Sequence, residues 1–170
     1  MLAILRHSIS ILLLPFLVVI VVPSWLLTVF TASDSRWVDG SPIVWLSRFV
    51  GGASIIVGFA LFSWCVSLFA RVGRGTLAPW DSTRNMVTVG PYSFIRNPMI
   101  SGVALMLTGQ ALLWGSWVMA IWAGTFVLIS HVYFVLSEEP GLKKRFGEPY
   151  CVYKANIPRW LPRMKPWTGK

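Results

Sequence analysis

Two consecutive glutamates, Glu138 and Glu139, stand where a long apolar stretch of the sequence ends. The 41 residues before them, 97–137, contain no Asp, Glu, Lys or Arg. An acidic residue costs about 2.5–3.5 kcal/mol at the centre of a membrane helix and less near its end, so a pair asks for compensating partners. Two interpretations are open. The carboxylates either complement the start of a tail helix and its bases at 143–145, or face inward and bind a cation or a hydroxylated ligand.

A second polar group precedes the same apolar stretch. Asn97 followed by Pro98 matches an N-cap with proline at the first helical position. The start of a helix also offers free backbone N–H groups that suit an anionic ligand, and Arg96 could add a bidentate contact. Capping and membrane anchoring are the alternatives for Asn97 and Arg96.

Composition places these residues in a membrane protein. The chain of 170 residues is 55% hydrophobic and only 12% charged, against roughly 25% charged in soluble domains. So short a chain has too much surface to hide that apolar content in a core. The net charge of +9 comes from bases between apolar runs, which favours lipid headgroups over nucleic acid. Cys65 and Cys151 are isolated, so we expect no disulfide and no metal site.

Apolar runs of membrane-spanning length predict four helices, since a bilayer core needs about 20 residues. The stretch of 41 residues is too long for one helix, and Gly115-Ser116 is its natural break. The predicted spans are 9–30, 49–70, 98–114 and 117–137.

The distribution of bases predicts the sidedness. Four Arg lie in the loop 71–97 and eight Lys or Arg in the tail 138–170, so both are expected on the cytoplasmic face. The sequence therefore predicts an all-α integral membrane protein of one domain, 1–170. It has four transmembrane helices, a cytoplasmic loop and a short helical C-terminal tail. Both termini and the active site face the cytoplasm, and the membrane is the inner, plasma or an equivalent membrane.

The tail carries an apolar stripe at helical spacing that Gly147 and Pro149 interrupt, which predicts two short helices with mainly packing roles. The stripe consists of Leu142, Phe146, Tyr150, Tyr153 and Ile157. Interfacial anchors are expected farther along, at Arg159, Trp160, Arg163, Lys165 and Trp167. We interpret His131, in the fourth span, as a hydrogen-bonded packing residue.

The stretches GPYSFIRNPMISG and EEPGLKKRFGEPYCVYKANIPRWLP resemble the integral-membrane methyltransferases. That family includes isoprenylcysteine carboxyl methyltransferases and phosphatidylethanolamine N-methyltransferases. The resemblance covers residues 84–162, and Asn97 and Ile100 stand where the family usually has His and Tyr. The second stretch matches the family pattern at Glu138, Glu139, Leu142, Phe146, Gly147, Tyr150, Tyr153, Pro158, Arg159 and Pro162.

This resemblance implies S-adenosylmethionine as cofactor, bound at the cytoplasmic ends of the last two helices. By likeness to the family, the cofactor-binding residues would be Arg84, Asn85, Met86, Val87, Tyr92, Asn97, Pro98, Met99, Ile100, Glu138 and Glu139. Catalytic roles would fall to Glu139 and to Arg145, which would orient the acceptor.

The expected reaction is methyl transfer to a lipophilic, membrane-embedded acceptor, most like carboxyl O-methylation of isoprenylcysteine. The alternatives are N-methylation of a phospholipid amine and an NADPH-dependent membrane reductase, with a non-enzymatic membrane assembly protein as a further one. The expected partners are the bilayer and a lipid or lipophilic small molecule, without nucleic acid or metal.

Overall fold

The computed structural model describes residues 14–30, 32–34, 37, 41–73 and 86–169. Every regular element in these ranges is a helix. Helix α1 is Leu14–Val29, with a π-helical turn at Leu17–Val21; α2 is Pro42–Leu68, continued by a π-helical turn at Phe69–Gly73; α3 is Pro98–Trp114 and α4 is Trp117–Tyr133. A π-helical turn at Phe134–Glu138 leads into α5, Glu139–Phe146, and α6 is Glu148–Asn156. Gly90–Ser93 forms one 3₁₀ turn.

Two helix limits differ from the sequence pattern. Helix α2 begins at Pro42, ahead of the predicted Phe49, because proline suits the first turn of a helix and Arg48 does not interrupt it. The fourth helix does not end at Ser137, since the chain stays helical to Phe146. The π-helical turn carries it past Pro140, whose missing N–H would otherwise break an α-helix. Residues 9–13 of the first predicted span lie outside the described ranges.

Two helices are long and apolar enough to cross a membrane. They are Pro42–Val72 and Trp117–Phe146, with mean hydropathies of 2.1 and 1.9 in their most apolar windows. Only 17% and 22% of those windows is buried, whereas the core helix of a soluble protein is mostly buried. Their apolar side chains therefore face outward, as lipid contact requires. Leu14–Val29 and Pro98–Trp114 are shorter apolar helices.

The chain divides into two compact units. One comprises Met1–Ala60 and Gly102–Leu128, and in it α2 and α3 meet backbone to backbone. A Cβ atom on Gly51 would lie 2.7 Å from the carbonyl oxygen of Gly109, and one on Gly58 would lie 2.5 Å from that of Gly102. The glycines at 102 and 109 thus serve close helix packing.

The turn between α3 and α4 lies in the same unit, at the predicted Gly115-Ser116 break. Gly115 has a φ of +65°, a conformation that glycine adopts without strain. Asp34 accepts hydrogen bonds from Ser116 Oγ at 2.5 Å and from the backbone N–H of Val118 at 3.4 Å. Asp34 therefore caps the start of α4 from a distant part of the chain.

The other unit comprises Leu61–Ser101 and Ile129–Lys170. Three backbone hydrogen bonds join the tail to the segment before α3: Arg96 N–H to Pro158 O at 2.9 Å, Arg163 N–H to Phe94 O at 3.0 Å and Trp167 N–H to Ser93 O at 2.9 Å. Two apolar clusters fill this unit, one around Cys65, Val87 and Tyr92 and the other around Tyr150, Tyr153 and Ile157. They hold the cavity described next.

Candidate functional site

A cavity of about 640 Å³, counting the solvent at its mouth, opens in the second unit. The end of α2, the segment before α3, the end of α4, α5 and α6 all contribute to its walls. It is lined by Phe69, Met86, Val87, Tyr92, Arg96, Asn97, Phe134, Glu138, Glu139, Leu142, Phe146, Tyr150 and Tyr153.

Glu139 is a buried carboxylate surrounded by three cations. Its Oε1 accepts from Arg96 Nη1 at 2.7 Å and from Arg159 Nη2 at 2.5 Å, and its Oε2 lies 2.6 Å from Lys154 Nζ. Its side chain is only 10% exposed. Since a buried charge requires such partners, Glu139 ties the segment before α3 to the tail.

Glu138 has the opposite environment, although it is the adjacent residue. It lines the cavity, and within the described ranges its carboxylate has no hydrogen-bond or ion-pair partner. Neighbouring helical residues point about 100° apart, so Glu139 reaches the three cations whereas Glu138 does not, although both line the cavity. An unpaired carboxylate in a largely apolar cavity is suited to a cationic ligand.

Arg96 and Asn97 line the same cavity as the two glutamates. Arg96 Nε is buried and has no hydrogen-bond partner among the residues that the structure describes, so one donor of the guanidinium is available to a ligand. The carbonyl of Asn97 accepts the backbone N–H of Ser101 at 3.1 Å, which begins α3. In the described part of the chain the Asn97 side-chain amide makes no hydrogen bond, so its donor and acceptor remain available to a ligand.

Three tyrosines close the wall and remain neutral donors. Burial raises the pKa of Tyr92 well above its ordinary value, and burial also raises the pKa of Tyr150 and of Tyr153. The Tyr153 hydroxyl donates to the carbonyl of Tyr92 at 2.8 Å. These phenols therefore fix the wall and supply no base.

His131 lies outside the cavity lining and binds the tail. Trp160 Nε1 donates to His131 Nδ1 at 3.1 Å, and Arg159 Nη1 lies 3.2 Å from the same nitrogen. Because an indole N–H can only donate, Nδ1 is the acceptor. The interpretation of His131 as a hydrogen-bonded packing residue agrees with these contacts.

The structure brings together six of the residues proposed for the site: Met86, Val87, Tyr92, Asn97, Glu138 and Glu139. Pro98, Met99 and Ile100 follow Asn97 in the first turn of α3 without lining the cavity, and Met99 packs against the Cys65 cluster. Arg145 is exposed, with its guanidinium 5.1 Å from the Phe146 ring. Arg84 and Asn85 lie outside the described residues.

Several lining residues had no functional interpretation in the sequence. Leu142, Phe146, Tyr150 and Tyr153 belong to the apolar stripe of the tail, and they both pack and face the cavity. Phe69 and Phe134 each begin a π-helical turn. Such turns recur at functional sites, but an apolar sequence contains no pattern that predicts one.

Comparison with known families gives this site its context. The phospholipid methyltransferase family model matches residues 46–149, which is more than half of the chain. The match includes the segment before α3, both glutamates and most of the cavity wall. Searches of curated proteins and of solved structures found no match. The chain therefore belongs to the phospholipid methyltransferase family.

Proposed function

We propose that this protein transfers a methyl group from S-adenosylmethionine to a lipophilic acceptor within the membrane. The observation that carries the proposal is the Glu138 carboxylate, which lines the same cavity as Arg96 and Asn97 and has no hydrogen-bond or ion-pair partner among the described residues. Membership of a methyltransferase family supports the reaction class.

The residues of the cavity fit the cofactor by charge and shape. Its sulfonium and ammonium groups suit Glu138, and its carboxylate suits Arg96 Nε, the Asn97 amide and the N–H groups that begin α3. Its adenine suits the aromatic lining. When bound, S-adenosylmethionine supplies an electrophilic methyl carbon.

The chain must position the cofactor and the acceptor and must exclude water, because an in-line displacement at carbon depends mainly on orientation. Aromatic and apolar side chains form most of the walls, and the ion cluster at Glu139 fixes the tail against the segment before α3. A carboxylate acceptor needs no general base, which suits a cavity that His131 does not line. Arg145, exposed at the rim of α5 beside Phe146, would orient the acceptor.

The acceptor we favour is the carboxylate of a prenylated cysteine. A phospholipid amine is the second candidate, because the matching family model is that of phospholipid methyltransferases. An amine must lose its proton before or during transfer, and Glu138 is the cavity carboxylate without a partner among the described residues. Either acceptor would enter from the lipid.

The membrane arrangement is part of the same proposal. We infer four spans with both termini and the cavity on the cytoplasmic side. Two helices of spanning length, two shorter apolar helices and the excess of bases in 71–97 and 138–170 support it.

Ligand-induced thermal shift in detergent tests the function. S-adenosylhomocysteine should raise the melting temperature, NADPH should not, and Glu138→Gln should abolish most of the shift while leaving the melting temperature of the empty protein unchanged. Glu148→Gln, at an exposed position of α6, is the matched control. Stabilisation by NADPH alone, or equal shifts in all variants, would contradict the proposal.

A further inference from the structure

The tail reaches helix α4 well inside its apolar part. We define the strap as residues 158–167. Its Trp160 donates to His131 Nδ1 at 3.1 Å, and the Trp160 ring lies 6.2 Å from that of Phe134. His131 precedes Ser137, the last residue of the charge-free stretch, by six residues, or about 9 Å at 1.5 Å per residue. The strap therefore descends below the level at which charged residues resume.

Beyond Trp160 the strap presents apolar side chains outward. Leu161 is 79% and Met164 97% exposed, the two highest values among the large exposed hydrophobic side chains of the described residues. The backbone around them is fixed, because Arg163 and Trp167 donate their N–H groups to Phe94 and Ser93. Their exposure thus belongs to an ordered segment and calls for an apolar environment.

Basic residues flank these apolar ones. The strap contains three bases and no acid. Arg159 is held by Glu139, whereas Arg163 and Lys165 form no salt bridge within the described ranges. Arg163 Nη1 donates to the carbonyl of Asn156 at 3.0 Å, which fixes its position without neutralising its charge. A fixed apolar pair beside two cations that have no carboxylate partner among the described residues matches the boundary between acyl chains and acidic headgroups.

We propose that the strap inserts into the cytoplasmic leaflet, with Leu161 and Met164 among the acyl chains and Arg163 and Lys165 at acidic lipid headgroups. The proposal rests on the membrane arrangement given under the proposed function. It places a lipid contact next to the Glu139 cluster, since Arg159 in the strap donates to both Glu139 and His131.

Depth-dependent fluorescence quenching tests this placement. A bimane label is attached at Met164→Cys or Leu161→Cys in a Cys151→Ser background, in which the remaining Cys65 is fully buried. The proteins are placed in nanodiscs of phosphatidylcholine and phosphatidylglycerol that contain a phospholipid with a nitroxide on its acyl chain. Most of the fluorescence at both positions should be lost.

Glu148→Cys is the matched control. It is exposed and follows α5, whose last residue, Phe146, lies nine residues beyond Ser137, or about 14 Å along the helix. Its fluorescence should survive. Equal quenching at positions 148 and 164, or none at 161 and 164, would overturn insertion of the strap.

Lipid charge tests the headgroup contact separately. Discs of phosphatidylcholine alone, or the change Lys165→Gln, should reduce the quenching at Met164→Cys. Quenching that is insensitive to both would overturn the assignment of acidic headgroups. The thermal shift with S-adenosylhomocysteine is measured on the same labelled proteins, so a failure of cofactor binding is distinguished from a failure of insertion.

Discussion

Arg159 donates to Glu139 Oε1 from two nitrogens, Nε at 3.1 Å and Nη2 at 2.5 Å. The two residues are 20 positions apart, on the strap and at the start of α5. Arg96 donates to the same oxygen from before α3. One carboxylate oxygen thus joins three chain segments around the cavity. Its loss should therefore lower the stability of the fold more than it alters ligand contacts.

Replacing Glu139 by Gln should therefore destabilise the fold. The change leaves two largely buried guanidinium groups without a counter-charge, and breaking a buried ion pair in this way costs about 3–5 kcal/mol. Lys154 is 47% exposed and should add little, since exposed pairs contribute about 0–1 kcal/mol. Thermal unfolding in detergent without ligand measures the effect, with Glu138→Gln as the adjacent control. Equal melting temperatures for the two variants would contradict the division of roles between the glutamates.

Asn97 should act on the ligand rather than on the helix. Asp caps helices about as well as Asn, so Asn97→Asp should keep the melting temperature of the empty protein. It removes a donor and adds a negative charge where we place the carboxylate of the cofactor, so most of the ligand-induced shift should disappear. Asn97→His, which restores the residue usual in related methyltransferases, should retain the shift. Equal shifts in all three proteins would reduce Asn97 to a helix cap.

Two neighbouring glycines of α2 should respond in opposite ways to alanine. The Cβ of Gly51→Ala would lie 2.7 Å from the Gly109 carbonyl oxygen, so α2 and α3 must separate; overpacking typically costs about 1–3 kcal/mol. Gly52 has open space within 4 Å, so alanine there should be neutral or stabilise the helix by about 0.5–1 kcal/mol. Denaturant unfolding in detergent compares them. A destabilised Gly52→Ala protein would show that the backbone contact is not the cause.

Sidedness is tested in the connection after the first predicted span and in the tail. Single cysteines at Ser35 and at Lys170, introduced in a Cys151→Ser background, should label from opposite sides of sealed vesicles. The expectation follows from the excess of bases in 71–97 and 138–170 against the connection around Ser35. Three spans are predicted between these two positions. Labelling of both from the same side would mean an even number of spans and would contradict this topology.

The polar residues of the candidate site could be predicted from the sequence more readily than the apolar ones. A like-charged pair at the end of a 41-residue charge-free stretch is conspicuous because buried charge is costly, and both glutamates do line the cavity. That one of them would be neutralised by Arg96, Arg159 and Lys154 depends on contacts across 43, 20 and 15 positions, which no local pattern encodes. Phe69 and Phe134 read as ordinary apolar residues, because a π-helical turn leaves no periodicity of its own.

A helix limit could be predicted where the sequence has a local signal for it. The start of α3 carried a local signal, asparagine and then proline, and the helix begins at Pro98. The end of the fourth helix was inferred from charge, but charge marks the edge of lipid and does not end a helix. The helix ends instead at Phe146, before Gly147, whose φ of +61° suits glycine.

The three backbone hydrogen bonds between the strap and residues 93–96 also set an order of assembly. Trp167 leaves the ribosome more than seventy residues after Ser93, several seconds later at about 5–20 residues per second. The four apolar helices and the residues that line the cavity all precede the strap in the chain, so the strap is synthesised after them. A nascent chain halted before residue 158 would contain all thirteen residues that line the cavity, but its Glu139 would lack the Arg159 contact and residues 93–96 would lack these three hydrogen bonds.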